Sequence, residues 1–298
     1  MQSPAQRGYW YSLAAGFWFG AMGYLIHRAS NTFPTSEIVL ARALSNAVLL
    51  LPWVPWRPLK QWRWSPAIGF LGVRAIAGAC SLYCLFWTLG RTSVGNARIL
   101  GELTPLFVAG FAWIVFGETL TKWQQGGLML TILGTLWLSW SSPESLPNEV
   151  LAVGIVGAFM AGIALLSLRQ AAPYFSPALI VFLFNCAVLV LVFVIPSPPW
   201  HSPQGLEWAL LGGVGLSGLF AQLLMTRAFA LITAALVTGT KRSSLAFGVL
   251  FDWLGDGDQP TGVALFSYGL VMLGVWGLTP NPEQAKKKTL PANKPSQG

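Results

Sequence analysis

The residues that follow Leu71 recur near Leu211. The stretch Leu71-Gly72, closing on Gly78, returns as Leu211-Gly212 closing on Gly218, a shift of about 140 residues. Gly16 and Gly20 followed by Arg28 return as Gly157 and Ala161 followed by Arg169, and Leu133-Gly134 returns as Leu273-Gly274. Both halves are almost wholly apolar, so each must bury or wet its surface in the same unusual way. Hydrophobic residues make up 54% of the chain and charged residues only 9%, against about 25% charged in soluble domains. Mean hydropathy is +0.58. The solvent such a chain expects is a bilayer, and internal repeats in a membrane chain build a two-sided gate around a central site.

Ten apolar segments of roughly span length follow from the hydrophobic runs. They lie near 9–28, 36–55, 66–89, 93–116, 123–140, 149–169, 177–196, 206–230, 234–253 and 260–278. The expected fold is therefore all-α and integral to the membrane, with ten transmembrane helices arranged as two inverted five-helix repeats. The first repeat spans 1–140 and the second 141–279; the lysine-rich stretch 280–298 reads as a disordered cytoplasmic tail. The first apolar run lacks an A-x-A-like exit and reads as a span that is retained, not a cleaved signal. Cys80, Cys84 and Cys186 form neither a disulfide framework nor a metal pattern and read as small apolar packers.

Basic residues orient the spans. With the N-terminus inside, the inner positions hold Arg7, Arg57, Lys60, Arg63, Lys122, Arg169, Lys286, Lys287, Lys288 and Lys294, while the outer ends hold Arg28 and Arg91. This positive-inside bias places both termini in the cytoplasm and the protein in the inner (plasma) membrane. An odd number of helices per repeat then inserts the second copy upside-down. The net charge of +8 reports topology and anionic lipid, not nucleic acid.

The remaining charges fall within spans. They are Arg42, Arg74, Arg98, Arg227, Lys241 and Arg242, with Glu102 the only carboxylate at comparable depth. A charge near the bilayer centre costs about 2.5–3.5 kcal/mol on insertion scales, so such groups need a wet cavity, a partner or a nearby interface. Arg42 and Arg227 lie close enough to helix ends for snorkelling. Arg98 and Glu102, four apart on one face, make either a structural ion pair or part of a site. Lys241 and Arg242 are adjacent and diverge around their helix. The excess of deep positive charge favours an anionic or zwitterionic solute and disfavours lipophilic cations.

A family resemblance rests on four stretches. Thr104-Pro105-Leu106-Phe107-Val108-Ala109-Gly110-Phe111-Ala112-Trp113, closing on Phe116-Gly117-Glu118, is similar to the fourth helix of EamA-type transporters of the drug/metabolite transporter superfamily. Gly126-Gly127 with Leu133-Gly134 resembles the fifth helix, and Gln222-Leu223-Leu224-Met225-Thr226-Arg227-Ala228 the eighth. Lys241-Arg242-Ser243-Ser244 is similar to the opening of the ninth helix in one branch. Arg42 sits where many relatives carry arginine. The resemblance implies a cavity between helices 1–4 and 6–9, with helices 5 and 10 outside. The second copy of the Gly-Glu signature departs from the family as Gly255-Asp256-Gly257-Asp258.

These readings converge on a non-enzymatic secondary transporter for a small anionic or zwitterionic metabolite, an amino acid or similar compound. Its candidate substrate-binding residues are Arg98, Glu102, Lys241, Arg242, Arg74, Trp18 and Tyr83. Glu102 is the candidate for coupling and Pro105 the candidate hinge, since a proline within a helix removes a hydrogen bond beside that carboxylate. Expected partners are the substrate, the lipid bilayer, and protons or a counter-solute. No cofactor is expected, and the oligomeric state is a monomer or weak homodimer. The alternative is a broad-specificity exporter of lipophilic or cationic compounds. A lipid-modifying membrane enzyme is remote, because His27 and His201 are the only histidines and bring no nucleophile or metal set.

Overall fold

Serine and proline open the helices. Ser3 Oγ accepts from the Gln6 N–H at 3.2 Å while Gln6 Oε1 accepts from the Ser3 N–H at 2.9 Å, a reciprocal cap with Pro4 in the first turn. Ser176 repeats half of this before Pro177, accepting from the Leu179 N–H at 3.3 Å. The computed structural model describes residues 3–55, 66–89, 91, 100–101, 103–117, 121–140, 147–195, 199–256 and 262–277. Among them are eleven α helices. In chain order these are α1 Pro4–Ala29, α2 Thr35–Leu50, α3 Pro66–Leu89, α4 Thr104–Phe116, α5 Lys122–Trp140 and α6 Asn148–Ala171. They continue with α7 Pro177–Val194, α8 Glu207–Leu231, α9 Ala234–Lys241, α10 Ser243–Asp256 and α11 Gly262–Gly277. A 3₁₀ turn, Leu51–Trp53, extends α2.

The described helices fall on the expected apolar segments, and two of those segments differ from expectation. The segment expected as one ninth helix is two, α9 and α10, interrupted at Arg242. Glycine at 239 weakens the helix, and the Thr238 and Thr240 hydroxyls bond back to the carbonyls of Ala234 and Leu236 at 2.9 and 2.7 Å, which bends helices. The Arg242 N–H turns to Gly239 O, and the Leu245 N–H to Arg242 O, in tightened three-residue steps. The second difference is that α4 begins at Thr104, so Pro105 lies in its first turn, where a missing N–H costs nothing. Gly117, with φ of 61°, closes α4 in the left-handed conformation. Residues 93–99 and 102 of the expected fourth span, the 257–258 half of the second Gly-Asp signature and the tail from 280 lie outside the described residues.

Among the described residues, five helical segments are long and apolar enough to cross a membrane by length and composition: Thr35–Trp53, Pro66–Leu85, Asn148–Ala171, Pro177–Val194 and Glu207–Leu231. The apolar surface agrees with a lipid environment. Consecutive residues Trp113, Ile114 and Val115 of α4 are each more than 60% exposed, which water would penalise and hydrocarbon does not. Inside, α1 packs on α8 and α10, α3 on α6 and α7, α2 on both α7 and α8, and α4 on α6. The helices α5 and α11 pair with each other.

Small residues set the closest crossings, because without a hydrophobic drive between helices in lipid, dispersion at short range must hold them. A side chain at Gly20 would meet Phe247, Gly248 and Ser244 of α10, and one at Gly157 would meet Cys84 of α3. One end of the bundle is also tied by charge. Arg169, in the last turn of α6, donates to the carbonyls of Phe229, at 2.9 Å, and Ile232 at the end of α8. These are carbonyls a helix end leaves unmet. Replacing Arg169 by Met is expected to lower stability by about 1.5–3 kcal/mol, read as a lower unfolding temperature in detergent; an unchanged value would make the bond incidental.

Candidate binding site

Helix α8 is the spine of a buried polar cluster. Gly218 and Gln222 are one turn apart on it, so they share a face. A Cβ at Gly218 would come within 3.0 Å of Arg42 Nε and 3.1 Å of Met22 Sδ; glycine leaves the room that the guanidinium from α2 occupies. Gln222 Oε1 accepts from Arg74 Nη2 of α3 at 3.3 Å. Arg74 Cζ also stands 4.4 Å from the centroid of the Phe184 ring of α7. Gly78, one turn beyond Arg74, permits this pose, since any side chain there would strike Arg74 Nη1 and Phe184.

Arg42 is only 3% exposed and Arg74 only 4%. Arg42 therefore does not snorkel to an interface, whereas Arg227 is exposed. The two guanidiniums face the same turn of α8, through Gly218 and Gln222. Among the described residues neither has a carboxylate within ion-pair distance; the one such contact there joins His201 Nε2 to Glu207 Oε2 at 3.7 Å. Arg74 is partly compensated by an amide and an aromatic face, worth about 2 kcal/mol each when desolvated. Arg42 has no comparable compensation among the described residues, and its Nε, like that of Arg74, lacks a hydrogen-bond partner there.

Two fully buried asparagines flank the arginines. Asn46 lies one turn beyond Arg42 on α2, and Asn185 follows Phe184 on α7. Both belong to the faces by which α2 and α7 pack, between Ala43 and Leu50 on one helix and Val181 and Val188 on the other. Asn185 Nδ2 donates to Val181 O at 2.7 Å. Among the described residues Asn185 Oδ1 and both polar atoms of Asn46 have no partner. Sequence reasoning passed over both residues, and over Gln222 as a site residue. A signal existed: the shift of about 140 that relates the two halves also carries Asn46 onto Asn185.

The other sequence candidates are distributed as follows. Lys241 and Arg242 stand at the break between α9 and α10. Lys241 Nζ sits 4.4 Å from the Phe19 ring centroid of α1, while the buried Arg242 donates from Nη1 to Thr131 Oγ1 of α5 at 3.4 Å. Arg74 and Arg242 thus turn to different helices. Trp18 stacks on Phe220 of α8 with centroids 4.9 Å apart. Tyr83 is exposed on α3. Arg98 and Glu102 lie outside the described residues. Among the described residues no group of His, Cys, Asp or Glu is placed to share a metal ion.

At the bundle end opposite Arg169, buried Glu37 Oε2 accepts from the His201 N–H at 2.9 Å. The His201 ring meets Phe33 edge-on, with centroids 5.4 Å apart. This contact ties the start of α2 to the segment before α8.

A helical bundle with a lipid-compatible exterior and a buried, polar, positively charged interior defines a multi-pass membrane protein. Its first half, residues 6–140, matches the model of the EamA-like transporter family. The chain is similar to the pseudopaline exporter of Pseudomonas aeruginosa, with 26% identity over 90% of this chain and 94% of that protein. It is similar to the riboflavin transporter of Vibrio cholerae, with 22% identity over 93% of each. It also resembles the mouse solute carrier family 35 member G1, with 24% identity over 82% of this chain and 70% of the relative. A protein of known crystal structure shares the fold, with a TM-score of 0.74 over 95% of this chain and 99% of its own at 14% identity.

Proposed function

We propose that this protein is a secondary transporter that moves a small anionic or zwitterionic metabolite by alternating access, with Arg42 and Arg74 at its binding site. The observation that carries the proposal is the burial of these two guanidiniums with no carboxylate in ion-pair range among the described residues. Two like charges in a low-dielectric interior are costly in the empty protein. An anionic solute offsets that cost, whereas a cation adds to it.

Helix pairing supports reading the bundle as ten spans in two inverted repeats, with α9 and α10 counted as one broken ninth span. Under the repeat shift, α1 on α8 exchanges with α6 on α3, α1 on α10 with α6 on α4, and α2 on α8 with α7 on α3. The α5–α11 pair exchanges with itself. In this reading both termini face the cytoplasm at the inner (plasma) membrane. Lys241 and Arg242 then mark the discontinuity in the ninth span, and broken helices are where transporters place their ion and substrate contacts. Glu102 is the proposed coupling carboxylate, paired with Arg98, and Pro105, in the first turn of α4, is the proposed hinge at the entry to that helix. Trp18 and Tyr83 are proposed to contribute aromatic surface to the substrate path. The names of the relatives, an exporter and a transporter of small organic compounds, support transport as the activity.

The test is uptake into proteoliposomes of neutral, acidic and aromatic amino acids, nucleosides, carboxylates and one lipophilic cation, with and without a pH gradient. Saturable movement of anionic or zwitterionic solutes is expected. Movement of the cation alone would overturn the charge argument and favour a drug exporter.

A further inference from the structure

The unmet groups around Arg42 and Arg74 describe their ligand more narrowly than its charge sign does. Both guanidiniums are buried, both leave Nε without a partner among the described residues, and both face the same turn of α8 through Gly218 and Gln222. One carboxylate engages one guanidinium fork fully. A solute with a single carboxylate would therefore leave the second charge unanswered.

The asparagines add a different demand. Asn185 Nδ2 already donates to Val181 O, which fixes the amide orientation and leaves Oδ1 as the atom without a partner. Asn46 has neither its oxygen nor its nitrogen satisfied among the described residues, so exchanging the two atoms does not help it. A carbonyl oxygen needs an N–H or O–H donor, which a carboxylate does not supply.

We infer that the site formed by Arg42, Arg74, Asn46 and Asn185 takes an amine-bearing dicarboxylate, with one carboxylate on each arginine and the amine N–H groups on the asparagine oxygens. This rests on the transport reading above only for its biological purpose; the binding chemistry stands on the site itself. A site built to hydrogen-bond a polar group discriminates strongly against analogues that lack it.

The experiment is equilibrium binding to the purified full-length protein in detergent, by calorimetry, with three probes. L-glutamate carries both carboxylates and the amine, glutarate lacks the amine, and L-2-aminobutyrate lacks the second carboxylate. Glutamate is expected to bind at least about tenfold tighter than either of the others. Arg74→Gln is expected to remove its advantage over aminobutyrate, and Asn46→Leu to reduce its advantage over glutarate. Because the ranking is measured on the parent protein, it does not depend on any variant folding.

Equal affinity for the three probes, or no binding of glutamate, would overturn the inference. The same proteins in liposomes separate the two readings. The expected ranking without flux would support the site and overturn transport. Flux of anionic solutes without preference for the second carboxylate or the amine would overturn the site assignment and leave transport standing.

Discussion

An Arg42→Gln variant is expected to bind its substrate about 100-fold more weakly and yet unfold at a higher temperature than the parent protein. The two effects have one cause. Arg42 is buried against the same turn of α8 as Arg74, with no carboxylate in ion-pair range among the described residues, so in the empty protein its charge contributes an insertion cost of about 2.5–3.5 kcal/mol. Glutamine removes the charge at little loss of volume, and the apo protein gains stability. In the complex the same substitution deletes a desolvated charge-assisted contact, a loss of about 2–5 kcal/mol. Arg42→Lys keeps the charge without the planar fork and should fall between, near tenfold weaker. Thermal unfolding without substrate and a transport or binding titration decide the matter together. Normal binding with a lower unfolding temperature would assign Arg42 to structure and remove it from the site.

The second large effect separates two neighbouring glycines. A Cβ at Gly127 would lie 2.8 Å from Gly274 O and 2.8 Å from the Gly277 carbonyl carbon, and one at Gly274 would lie 2.6 Å from Gly127 O. These are backbone atoms of the α5–α11 crossing and cannot swing aside as a long side chain does. Gly127→Ala must push the helices apart, a cost of about 1–3 kcal/mol for overpacking. At Gly126 nothing lies within 4 Å of the same added atom. There alanine should stabilise the helix by about 0.5–1 kcal/mol through backbone entropy alone. Unfolding temperatures of the two variants should therefore move in opposite directions. Equal shifts, or the reverse order, would mean that α5 is rotated by about 100° from this packing.

Much of the helical framework is legible in the sequence because apolar length reports directly on what a bilayer requires. The recurrence of Gly16 and Gly20 and of Leu133-Gly134 marks the positions where helices come closest, and Gly20 and Gly134 do pack onto other helices at backbone distance. The ninth segment shows the limit. Its hydropathy is that of one span, and the break at Arg242 comes from local hydroxyl-to-carbonyl bonds and tightened turns that a hydropathy window averages away.

The candidate site divides along the same line. That arginines lie deep within an apolar chain is evident from position alone, since charge and hydropathy are properties of single residues and their neighbours. Which of them meet is a property of helix rotation. Arg42, in the first half of its expected span, reads as a snorkelling residue until α2 is placed against α8, where Gly218 opens the space it fills. Arg74 and Arg242 read as partners in one basic cluster until the fold turns one to Gln222 and the other to Thr131. Asn46 and Asn185 carry no charge and attract no notice in a linear reading, because an amide becomes costly only when its surroundings exclude water and supply no partner. Solvent, helical character and the presence of arginines deep in the chain thus follow from local composition. The identity of the groups that share the interior depends on the azimuth of each helix, which is set by side chains packing across segments far apart in the chain.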